Sequence, residues 1–198
     1  MSSDKALPLL LIPGFEGFAW NSTGYGAWRH RILVTGRLGS ADTLEQQVDT
    51  VKEWMAGLPA FAVVGDSLGA VVGLELAARH PGVRALVLSG PFLPEDLATC
   101  VRELRSRLCG REGFRPEQFD RGVELARAWR PRRDQLRVQC LVACPPGTAE
   151  HEWCLGQDSA RWANAGFFWR FDEPDAFAAR VEAFVGRIEH ASEESGAH

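Results

Sequence analysis

Apolar and polar positions along this chain switch repeatedly between a strand-like and a helix-like period. Leu7 to Ile12 is an unbroken apolar run stopped by Pro13-Gly14, the pattern of a strand buried on both faces. Arg31 to Thr35 reads as a second strand. Leu44, Val48, Val51, Met55 and Leu58 then recur at helical spacing, and Gly57 and Pro59 close the segment. Phe61 to Val64 predicts a third strand. Residues 68–79 are small and apolar nearly all round, as a helix pressed against a sheet must be, and His80-Pro81 ends them. Val83 to Ser89 predicts a fourth strand.

Over about 91–135 the alternation breaks. Leu97, Val101, Leu104 and Leu108 mark one amphipathic helix, Phe119, Val123 and Ala126 another, and no strand pattern separates them. This stretch reads as a helical cap inserted into one domain spanning 1–198. Strands resume at Val138 to Cys144 and again at Gly166 to Phe171. A last helix begins near Pro174 and lines Phe177, Val181, Phe184 and Ile188 on one face. Strands alternating with helices predict an α/β fold with a mostly parallel sheet of about six strands.

Composition changes this picture little. A chain of 198 residues with 45% hydrophobic and 24% charged residues suits one globular domain. The net charge of −4 argues against a nucleic-acid binder. The first residues lack the basic and long apolar parts of a secretory signal, and no run reaches transmembrane length. The expected setting is therefore the cytoplasm, with no membrane partner. The five cysteines show no paired metal-ligand spacing and are expected as reduced thiols. No metal and no cofactor is implied: there is no glycine-rich dinucleotide fingerprint.

The chemistry concentrates at Gly65-Asp66-Ser67-Leu68-Gly69. A serine between glycines, after an apolar strand and before a buried helix, is the setting of a nucleophile elbow. Flanking Cβ atoms would collide with neighbouring backbone in so sharp a turn. The helix N-terminus also favours a developing negative charge.

With this motif in place the chain resembles the α/β-hydrolase superfamily along almost its whole length. Leu9 to Phe15 looks like the first core strand and oxyanion loop of that family, with Pro13 where a His often stands. Arg37 to Ser40 looks like the stretch after the next strand, and Phe171 to Phe177 like the start of the last helix. The resemblance implies a minimal α/β-hydrolase fold with Ser67 as nucleophile. It further implies that the backbone N–H groups of Phe15 and Leu68 form the oxyanion hole.

Two departures stand out. The family places its His shortly before the last helix, but residues 165–174 contain none, and Phe167 or a neighbour takes the place. Its acid follows the strand ending at Cys144, where this chain has Pro145-Pro-Gly-Thr-Ala-Glu-His-Glu-Trp153. A serine needs a base to take its proton. Of the five histidines, His30 and His80 should lie at the opposite edge of the sheet, and His190 and His198 near the chain's end. His151, read as part of a loop at the carboxyl edge, is the expected base. Glu150 or Glu152 would orient it, with Asp158 ranked behind them. Triads are defined by geometry, so such a relocation is permissible.

Residues 102–137 carry eleven arginines against six acids. That excess could dock an acidic acyl-carrier protein, or favour a CoA thioester; an ordinary solvated face is the plainer account. Trp20, Trp28, Trp153 and Trp162 could line a pocket for an aromatic acyl group or simply pack. The expected function is acyl transfer through Ser67, as an esterase, thioesterase or acyltransferase. The rivals are a catalytically degenerate binding or scaffold protein and a non-hydrolytic lyase or cyclase on the same pocket.

Overall fold

The computed structural model describes residues 6–15, 28–35, 43–110, 114–130 and 136–195. Six strands form one sheet: β1 (Leu9–Ile12), β2 (Ile32–Val34), β3 (Phe61–Asp66), β4 (Val83–Ser89), β5 (Gln139–Cys144) and β6 (Ala160–Asn164). Their order is β2-β1-β3-β4-β5-β6, and every neighbouring pair is parallel.

Parallel strands need crossovers, and helices supply them after β2: α1 (Leu44–Met55), α2 (Leu68–Arg79), α3 (Pro94–Leu108), α4 (Pro116–Ala128) and α5 (Ala149–Leu155), while α6 (Trp169–Asp172) and α7 (Pro174–Ser195) follow the last strand. Because successive strand residues face opposite sides, the sheet has two cores. Leu10, Ile12, Val63, Leu86 and Val142 face the layer holding α1 to α5. Leu9, Leu11, Val64, Val87 and Leu141 face α7, which answers with Phe177, Val181 and Phe184.

The chain's winding direction reverses between β1 and β3, so a crevice opens beyond their carboxyl ends. Ser67 and Phe15 both sit at that crevice. Between β4 and β5 stand α3 and α4. The latter reaches down to it: Phe119 meets Phe15 edge-on at 5.8 Å, and the backbone of Gly122 passes close over Phe15 and Leu68. At its far end Trp129 Nε1 donates to buried Glu75 of α2 at 2.9 Å, tying the cap to the helix under the elbow.

Two expectations are corrected. The last strand is not Gly166 to Phe171 but Ala160–Asn164, and the aromatic run behind it turns into α6. As an outer strand, β6 has one neighbour and carries few buried side chains, so polar Arg161 and Asn164 hid it. The aromatic residues had strand propensity but pack as a turn and a short helix, since the chain must swing round to start α7. Likewise the Glu-His-Glu segment is no loop: it forms the first turns of α5, capped by the Thr148 side chain. Among the described residues, no helix is long and apolar enough to cross a membrane.

Candidate active site

β3 ends at Asp66 and α2 starts at Leu68, leaving Ser67 alone to turn the chain. It does so at φ 50°, ψ −113°, and among the described residues it is the sole non-glycine with positive φ. That conformation is costly for a residue with a Cβ and persists only where the surroundings enforce it. The surroundings are backbone. A Cβ on Gly65 would lie 2.4 Å from the Gly69 carbonyl oxygen, and one on Gly69 would lie 2.1 Å from that of Ile12. Gly90, at φ +70°, closes the cradle from β4: a Cβ there would come within 2.5 Å of Ser67 Oγ.

Polar contacts lock the turn. Ser67 N–H donates to the Ser89 carbonyl at 2.8 Å, while Ser89 Oγ donates to Asp66 Oδ1 at 2.8 Å. The other Asp66 oxygen accepts from Arg170 at 3.0 Å, in a pair almost wholly out of water. The Arg170 guanidinium also stands over the Phe171 ring, with Cζ 4.0 Å from its centroid. Arg170 comes from α6, the stretch where the resembled family keeps its histidine. A guanidinium donates only, so it anchors the elbow and cannot take the serine's proton.

The residues expected to donate to an oxyanion lie beyond the carboxyl ends of β1 and β3. Phe15 is buried just beyond β1, and Leu68 is the first residue of α2, where backbone N–H groups lack helical partners. Parallel pairing of β1 with β3 thus sets both residues at the same end of the sheet.

The expected base and acids do not gather there. Among the described residues no side chain forms a hydrogen bond to Ser67 Oγ. His151 lies beyond the carboxyl end of β5, two strands away from β3. Its ring packs against Trp162 of β6 at 4.5 Å, and its Nδ1 accepts the Gly147 N–H at 3.1 Å. With Nδ1 accepting, the neutral ring carries its proton on Nε2, the reverse of a serine-activating base that donates through Nδ1.

Glu150 was expected to orient His151, and the structure corrects this. Its side chain turns inward, fully buried, with Oε1 accepting the N–H groups of Phe92 at 2.9 Å and Leu93 at 2.7 Å. Burial, and then the neighbouring Asp96 carboxylate, push the Glu150 carboxyl up to about 9 despite those two donors. It is therefore protonated at neutral pH and pins the start of the cap segment instead. Glu152 is the acid nearest the ring, 3.7 Å from His151 Nδ1, but its side chain is 72% exposed, and such pairs contribute little. Asp158 lies in the turn before β6, at the amino edge of the sheet, and is out of play.

His30 and His80 sit where the strand pattern put them, and His198 lies outside the described residues. His30 bonds to Glu182 and Glu189 of α7, and His80 caps the far end of α2, accepting from Gly82 N–H. Among the described residues, Trp28 and Trp153 do not converge. Trp28 packs on Phe177 beneath the sheet, and Trp153 meets Phe92 edge-on at 5.9 Å. Trp20 and the Arg37–Ser40 stretch lie outside the described residues. All five cysteines are free, and burial pushes Cys144 up to about 12 and Cys154 up to about 11, leaving both inert as nucleophiles.

Reading by sequence missed Ser89, Gly90 and Arg170. The glycine after an apolar strand was visible at Gly90. Nothing local linked Arg170 to Asp66, 104 positions earlier.

Residues 6–120 match the family model described as serine aminopeptidase, S33. Solved structures share the architecture. The enol-lactonase from Burkholderia xenovorans LB400 is 16% identical with a TM-score of 0.67, over 91% of this chain and 92% of its own. The carboxylesterase CesB from Bacillus subtilis is 20% identical with a TM-score of 0.65, over 93% and 85%. A proline iminopeptidase from Mycobacterium smegmatis is 17% identical with a TM-score of 0.64, over 96% and 93%. At such identities the likeness is one of fold. No curated protein sequence matches the chain.

Proposed function

The chain belongs to the serine aminopeptidase S33 family of hydrolases, and from that premise we propose that it is a serine-nucleophile acyl-transfer enzyme acting on an ester or thioester. The observation that carries this reading is Ser67 held at φ 50° by three glycines, one in β3, one in α2 and one just after β4. Strain of this kind is maintained where a side chain must be presented. Ser67 Oγ attacks the acyl carbonyl, the amides of Phe15 and Leu68 hold the oxyanion, and the alcohol or thiol leaves with a proton. Water or a second nucleophile then takes the acyl group from Ser67, giving thioesterase or acyltransferase chemistry of the sort used on carrier- or CoA-bound intermediates in biosynthesis.

His151 is the proton acceptor in this reading, and it serves once its ring exchanges the Gly147 amide for Ser67 Oγ. An acidic carrier would dock on cap arginines still facing solvent, such as Arg102 and Arg127. Arg105, Arg107 and Arg130 are engaged within the chain.

A second reading is a family member that binds acyl compounds without turning them over. The Gly147 N–H on His151 Nδ1 favours it. A fluorophosphonate probe with mass spectrometry separates the two. Labelling on Ser67 that disappears in Ser67→Ala and drops in His151→Ala supports acyl transfer. No labelling of the folded protein supports binding alone. Acylation of Ser67 by a series of acyl thioesters then identifies the acyl group.

A further inference from the structure

Away from Ser67, the outer edge of the sheet carries a groove between β6 and α7. β6 pairs with β5 on one side and, among the described residues, with no strand on the other. Beyond the Ala160 N–H, which donates to the Gln157 carbonyl, its outward edge offers backbone groups for which no strand among the described residues is a partner. Two clefts lie end to end along it. One, of about 390 Å³, is lined by Ala163 and Asn164 of β6 and by Ala176, Ala179 and Arg180 of α7. The next, of about 710 Å³, is lined by Arg161 of β6, by Phe184, Arg187 and Ile188 of α7, and by Gln139.

The charge of this groove is one-sided. Arg161, Arg180 and Arg187 are all exposed, and among the described residues no carboxylate lines either cleft, in a chain whose net charge is −4. Among the described residues none forms an ion pair with these three; Arg187 only leans over Phe184, 6.0 Å from the centroid. Elsewhere on the protein, exposed arginines such as Arg105 and Arg107 are matched by acids. Between Arg180 and Arg187 the floor is small: Ala183 is exposed and leaves room for a backbone. Seven helical residues separate those arginines by about 10 Å, roughly three residues of an extended chain.

We propose that this groove binds an acidic segment of a partner protein in extended form, added as a further strand on the free edge of β6. Backbone pairing to β6 supplies the register, and carboxylates on the face turned to α7 meet the three guanidiniums. A second copy of this chain is disfavoured as occupant, because edge-to-edge pairing would set the same arginines against each other. The inference is independent of the chemistry at Ser67.

The test is fluorescence anisotropy with a labelled (Glu-Val)₄ peptide on the full chain, with (Lys-Val)₄ and a (Glu-Val)₄ carrying proline at two central valines as controls. Saturable binding is expected for the acidic peptide alone, with amide exchange slowed across residues 160–164. Affinity should fall at least about tenfold in Arg161→Glu/Arg187→Glu and measurably in Arg180→Gln, both folded by circular dichroism. Absence of saturable binding overturns the proposal. So does equal binding of the proline peptide, which would leave only diffuse attraction of charge. A concentration-dependent dimer of the free protein that is lost in the arginine variants would assign the edge to self-association and overturn it as well.

Discussion

The elbow at Ser67 and the segment around His151 lie at the same edge of one sheet, yet they are built in opposite ways. At the elbow, three glycines meet their neighbours at distances that admit no Cβ, and a buried Asp66–Arg170 pair with Ser89 braces the turn. Around His151 the contacts are a ring on a ring, an amide on Nδ1 and a solvent-exposed carboxylate. The first arrangement permits a single conformation. The second can exchange partners at little cost. Presentation of Ser67 is thus rigid in this protein, and the proposed acyl transfer draws its proton acceptor from the softer side.

That contrast can be broken most severely at Gly69. Gly69→Val places side-chain atoms where the Ile12 carbonyl stands 2.1 Å from even a Cβ, and should cost more than about 4 kcal/mol. Loss of the cooperative unfolding transition by circular dichroism is the expected result.

Next in size is Arg170→Ala. It strands the Asp66 carboxylate in the interior and should cost about 3–5 kcal/mol in urea unfolding, with slower probe labelling of Ser67. Arg170→Lys, which keeps the charge but not the fork, should fall between.

Glu150 sharpens the comparison from the side of the cap. Its folded-state value of about 9 stands above the unfolded one near 4.5, so the native state holds the proton more tightly. The stability this contributes is complete below pH 4.5 and is lost as pH rises through 9. Glu150→Gln mimics the protonated form. It should match the parent near pH 4.5 and exceed it by about 1–3 kcal/mol at pH 9, measured by urea melts across that range.

The smallest stability effect is expected at His151. His151→Ala removes one amide acceptor and a ring contact with Trp162 and should cost about 1 kcal/mol. Any loss of Ser67 labelling in that variant would therefore report chemistry and not unfolding.

Much of this was legible in the amino-acid order. Five of the six strands, the buried helix after the elbow and the last helix follow from runs and periods of apolar residues, because burial of one face or two is a local constraint. The elbow is legible for the same reason: its glycines are demanded by neighbours one to four positions away. β6 was not, since an outer strand with one neighbour needs little apolar sequence, while Phe167 to Phe171 offered a better local strand pattern. Glu150 was misjudged because its amide partners at Phe92 and Leu93 lie 58 and 57 positions away.

Residue order by itself therefore determined the layered α/β architecture, the turn at Ser67 and the helix that starts beneath it, all of which rest on short-range sterics and on which faces avoid water. Tertiary structure alone decided that Arg170 fills the flank of the elbow, that Glu150 is an uncharged pin and that His151 faces Trp162. Those outcomes depend on side chains from distant segments competing for a few buried donors and acceptors, and such competition is resolved only once the segments have met.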